Sequence, residues 1–217
     1  MDTKKSIDWK KEIPRIIQPD GTVVYDCDIF GGDKVDFEKI EYLHIAGNLA
    51  VGEHFVSSDI SVGENAFFGD NASTGNVHAS GSVFFENNAD VNNVSVSGNV
   101  SFEDNASTGD IYVGENISFG DNVNTGYICA AGNASFGDNA NTGGIDACGD
   151  VSFGDDASVA DIISCGNVSF GYRARVYDID VSGGDGDISF GDFAHTGKLS
   201  AGGNISLGNN CEIGYIY

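Results

Sequence analysis

Apolar and polar positions alternate along this chain in a pattern that restarts every seventeen residues. From Val94 to Asp110 the apolar side of the pattern falls at positions 1, 3, 7, 9, 13 and 15, and the same spacing returns from Ile111, Ile128, Ile145 and Ile162. Three short runs of period two, separated by Gly, Asn and Asp, predict three short β-strands per unit joined by tight turns. Followed back through Val77, Ile60 and Leu43, and on through Ile179 and Leu199, the pattern gives ten units. Only the unit from Ile179 to Lys198 reads as lengthened, by three residues, and Asp28 to Tyr42 reads as a degenerate eleventh.

A fixed period of this length predicts a solenoid, because one coil cannot bury its inward side chains and depends on the coil stacked against it. The fold class expected is all-β: a single-domain, three-sided parallel β-helix of about ten 17-residue coils, with a right-handed winding preferred. Stacked in register at ~4.8 Å per strand, ten coils make a rod roughly 48 Å long. Position 9 is Phe in eight units, from Phe68 to Phe190, with Val51 and Leu207 at the ends, while position 13 is mostly Ala. A column of phenyl rings opposed by small residues is the core this predicts. Asn or Asp at position 6, as at Asn99, Asn116 and Asn133, is expected at a corner. There its amide bonds to the next coil and its backbone tolerates the left-handed region.

Composition supports folding rather than disorder: 31 Gly but only 2 Pro accompany an apolar content of 41%. Charge narrows the partners. Lys and Arg number 10 against 33 Asp and Glu, a net of −23, and Lys4, Lys5, Lys10, Lys11 and Arg15 all precede the repeats. The coil surface is therefore a polyanion that repels nucleic acid and anionic lipid. Acidic residues recur at position 11, for example Asp104, Asp121, Asp138 and Asp155, but the glycine-rich nonapeptide of calcium-loaded coils does not recur. No metal site and no cofactor is expected.

Residues 1–22 differ from the solenoid of 23–217, whose regular coils begin at 43. This basic, amphipathic segment is too polar and short to span a membrane or serve as a secretory signal. It reads as a cap over the first coil, or alternatively as a peripheral membrane contact through Trp9, Lys10 and Lys11. Five Cys without a Cys-x-x-Cys motif fit a reducing, cytoplasmic setting, membrane-associated if the basic segment binds lipid. Cys148 and Cys165 share position 4 of consecutive coils and are expected to stack as thiols.

The last unit ends in an apolar series, Leu207, Ile213, Tyr215, Ile216 and Tyr217. Self-association through this end, into a dimer or a filament, is the expectation that follows. Two departures from the repeat mark possible lateral contacts: Phe67 with Phe84 at outward position 8, and the basic, aromatic run that includes Tyr172, Arg173, Arg175 and Tyr177.

Runs such as Val94-Ser-Val-Ser-Gly-Asn-Val-Ser-Phe-Glu-Asp-Asn-Ala-Ser-Thr-Gly-Asp-Ile111 resemble the repeats of bactofilins, polymer-forming cytoskeletal proteins, over residues 43–217. The resemblance implies a right-handed β-helix that polymerises through its ends without nucleotide, with an N-terminal segment that targets membrane. It implies a structural scaffold rather than a catalyst. The alternative is a hexapeptide-like acyltransferase or other ligand-binding β-helix, in which a His serves as general base. His44, His54, His78 and His195 lie in no motif that supplies an orienting carboxylate at fixed spacing, so no catalytic residue is assigned.

Overall fold

The computed structural model describes residues 15–34, 36–181 and 183–217. Across these residues the chain is all-β without helix and winds into about 11 stacked parallel coils. One mid-rod coil carries strands Val94–Val96, Val100–Phe102 and Ser107–Thr108. Each pairs in parallel with its equivalent in the next coil: Val94 with Ile111, Phe102 with Phe119 and Ser107 with Asn124. The second strands build an 11-stranded sheet, from Ile29–Phe30 at one edge to Ile205–Leu207 at the other. First and third strands share an 18-stranded sheet, because strands such as Ser158–Ser164 and Arg175–Val181 run through the third corner without a break.

The first coil corrects the count made from the sequence. Val23 pairs with Leu43, Tyr25 with Ile45 and Ile29 with Leu49, so a full coil begins at Val23 rather than at Asp28. This coil, too, is longer than seventeen residues, and the register against Val56–Val62 shifts between Phe37 and Tyr42 to absorb the excess. Its ninth position is Gly31, so it lacks the phenylalanine that marks eight of the other coils. Before it, Ile16–Ile17 turns back and pairs antiparallel with Val23–Tyr25. Trp9, Lys10 and Lys11, on which the membrane reading rests, lie outside the described residues.

The core is the expected column. Phe68, Phe85, Phe102, Phe119, Phe136, Phe153, Phe170 and Phe190 are all buried, with neighbouring centroids between 4.4 and 5.1 Å apart and ring planes within 10°. Such spacing is imposed by the strand repeat, and each offset pair adds ~0.5–1.5 kcal/mol beyond area burial. Ala72, Ala89, Ala106, Ala140 and Ala157 are buried at position 13. The coil of Leu43 inverts the arrangement: Val51 takes the ninth position and Phe55 the thirteenth, and Phe55 packs tilted against Phe68 at 5.4 Å. Volume is thereby kept while the ring changes sides.

Three of the inward threonines satisfy their hydroxyls locally. Thr108, Thr125 and Thr142 are buried, and each Oγ1 donates to the carbonyl of the glycine that follows it. Thr74 and Thr196, at the same inward position, are buried with no hydrogen-bond partner for Oγ1 among the described residues, so the column is satisfied in mid-rod and not throughout.

Candidate functional site

All three corners of the coil work by one device, a side-chain oxygen that accepts the backbone N–H of the residue stacked on it. At position 6, Asn133 Oδ1 accepts from Asp150 N at 2.8 Å. At position 11, Asp121 Oδ1 accepts from Asp138 N at 2.8 Å. At position 17, Asp110 Oδ1 accepts from Tyr127 N at 2.9 Å. The sequence pattern reveals only the first of these corners. The same device explains the recurrent Gly-Asn and Gly-Asp pairs: a Cβ at Gly137 or Gly149 would overlap Asp121 Oδ1 or Asn133 Oδ1. Each glycine thus clears room for the carboxylate or amide below it. The position-11 acids, then, are occupied as turn-closing acceptors. Among the described residues no group of three or more His, Cys, Asp and Glu could hold a metal ion.

Left-handed backbone lies elsewhere than expected. Position 6 is not in that region; position 12 is, with φ between 57° and 62° in every coil, from Lys34 to Asn210. Asn71, Asn88, Asn105, Asn122 and Asn139 occupy it in mid-rod, which is where their tolerance of positive φ is used. Towards the C-terminus Asp156, Arg173 and Phe193 take the same place.

Those substitutions change what the basic patch can do. Arg173 Nη2 bonds to Asp156 Oδ2 at 2.6 Å, one coil below, and its guanidinium lies 4.9 Å from the Tyr172 ring centroid. The hydrogen bond from Arg173, aided by its charge, holds the Asp156 carboxyl below the ordinary carboxylate range. Tyr172 in turn meets Phe193 edge-on at 5.4 Å. Arg173 is therefore engaged within the rod. Arg175 and Tyr177 share the adjoining face with His195, whose Nε2 lies 3.4 Å from Glu212 Oε2. The His with a carboxylate that no linear motif suggested is supplied by stacking, since residues seventeen apart become neighbours. Both side chains are more than half exposed on an open face.

Phe67 and Phe84 stack on the outer surface at 5.3 Å, with planes 7° apart. They lie on the second strands, whereas Arg175 and Tyr177 lie on a third-strand run, so the structure does not gather the proposed lateral contacts into one patch. Cys148 and Cys165 are free and exposed.

The C-terminal coil is where buried positions lose their cover. Position 9 is 6% exposed at Phe190 but 40% at Leu207, and position 1 is fully buried at Leu199 but 55% exposed at Ile216. Ile213 is half-buried against the core, while Tyr215 and Tyr217 stand exposed. Lys198 Nζ sits 5.0 Å from the Tyr217 ring centroid, a cation–π contact at the last residue. Ile205–Leu207 and Glu212–Ile216 are each paired on one side only.

No family model, curated protein or solved structure matches this chain. Its fold and surfaces thus carry the functional reading. Among the described residues no helix is long and apolar enough to cross a membrane.

Proposed function

We propose that this protein is a non-catalytic structural scaffold, similar in kind to the bactofilins, that joins to a second copy of itself through its last coil. The observation that carries the reading is the contrast within single positional columns: Ile216 and Leu207 are exposed where their equivalents one coil earlier are buried. Exposed apolar side chains beside two half-paired strands are the surface that an added layer covers in every other coil.

The two ends differ, and this favours one polarity for the join. At the N-terminal end Ile16–Ile17 already pairs antiparallel with Val23–Tyr25, occupying the edge that a parallel, head-to-tail neighbour would need on the larger sheet. Tail-to-tail contact related by a two-fold axis uses the same open surface on both copies and needs no free N-terminal edge. The proposed unit is consequently a rod of two chains with both tips at its centre.

Light scattering on the purified chain tests this. Wild-type protein is expected to run at twice its 22.7 kDa mass, and Ile216→Lys with Tyr217→Lys to run at the single-chain mass. A wild type that stays monomeric across the accessible concentration range contradicts the proposal.

A further inference from the structure

We propose that a groove on the first-strand face binds a neutral saccharide. It encloses about 440 Å³ over three consecutive coils and is lined by Asn76, His78, Asn93, Ser95, Asp110 and Tyr112. His78, Ser95 and Tyr112 are stacked equivalents, because Ser95 pairs with His78 below and Tyr112 above. The small serine between an imidazole and a phenol leaves a notch whose upper wall is an aromatic ring. Tyr112 is 50% exposed and leans on Tyr127 at 6.3 Å, so the wall is buttressed from behind.

The flank of the notch has hydrogen-bonding capacity to spare. Asn93 Nδ2 donates to Asn76 Oδ1 at 2.9 Å, and Asn93 Oδ1 accepts from Asp110 N at 2.8 Å. Asp110 Oδ1 accepts from Tyr127 N at 2.9 Å. These bonds close the corner but leave the second Asn93 N–H and the second Asp110 oxygen. His78, Ser95 and Tyr112 take no part in that ladder, so imidazole, hydroxyl and phenol face the same space.

Charge selects the ligand class. No Lys or Arg lines the groove, and a carboxylate in a chain of net charge −23 repels an anion. A simple cation would be drawn to acids all along the rod and would need none of the features that set this groove apart. Those features are a ring that offers a π-face to C–H groups and uncharged or singly charged groups that pair with adjacent hydroxyls. A sugar residue presents both surfaces at once.

Native affinity electrophoresis of the full chain through gels containing hydroxyethyl cellulose, soluble starch or galactomannan tests the proposal. Wild type is expected to be retarded by at least one of these glycans, equally at low and high NaCl. Tyr112→Ala, which removes the wall, and Ser95→Phe, which fills the notch, should each weaken retention about ten-fold or more. Both positions face outward, and circular dichroism identifies a variant that has lost its fold, leaving the other to decide. Tyr177→Ala, three coils further along the rod, should behave as wild type, and so should Ile216→Lys with Tyr217→Lys, which separates this site from end joining. The proposal is overturned if wild type is unretarded in every gel, if Tyr112→Ala is retained undiminished, or if retention vanishes at high salt.

Discussion

The mid-rod coils and the last coil are built on the same seventeen positions, yet the first are covered on both sides and the last on one. Phe119 and Leu207 share position 9, but Phe119 lies between Phe102 and Phe136 while Leu207 has a neighbour on one side only. In a solenoid, burial belongs to the stack rather than to the residue. The same composition that makes a covered middle therefore leaves apolar side chains exposed in the last coil.

The largest effect should come from removing a ring in the middle. Phe119→Ala leaves a cavity between two stacked phenyls and is expected to cost about 3–5 kcal/mol in chemical denaturation. Leu207→Ala, measured below the association concentration, should cost less, about 1–2 kcal/mol, since the residue is already 40% exposed there. Equal costs would mean that the tip is buried even in the single chain, and the contrast between the two regions would be lost.

A smaller effect sharpens the same comparison at the corners. Asn122→Val places a β-branched residue at φ 59° and should destabilise by about 1–2 kcal/mol, whereas Asn122→Gly should be close to neutral. Thermal melts of the two variants suffice. If valine is tolerated as well as glycine, the left-handed corner is not a requirement of the coil.

The smallest effect is one of pH. Asp156 has its folded-state pKa depressed by the Arg173 hydrogen bond, so the pair contributes stability above the ordinary Asp range, and that contribution is lost as pH falls through the folded value. Because the pair is solvent-exposed, the slope should be shallow. Arg173→Ala is expected to flatten it, as seen in melting temperature between neutral and acid pH.

Much of the fold is legible in the chain because a solenoid converts sequence period directly into vertical contact. Phe68 to Phe190 fall in one column from spacing alone. What stays hidden depends on geometry that spacing does not encode. Asn at position 6 and Asn at position 12 look alike in sequence, and only the backbone distinguishes a hydrogen-bonding corner from a left-handed one. The coil from Val23 to Tyr42 is obscured because Gly31 stands where eight of the other coils carry the marker Phe. His195 and Glu212 form no linear motif, although a comparison of residues seventeen apart pairs them. For the same reason Ser95 goes unnoticed in sequence as the gap between His78 and Tyr112.

The end-joined rod makes a geometric claim that overall length tests most directly. Eleven layers at ~4.8 Å give a single rod of roughly 53 Å, and tail-to-tail union gives roughly 105 Å without thickening it. Small-angle X-ray scattering of the two-chain species should therefore show a maximum dimension near that doubled length and an unchanged cross-section. A two-chain particle that keeps the single-rod length and gains width would place the contact along the sides and contradict joining through the tips.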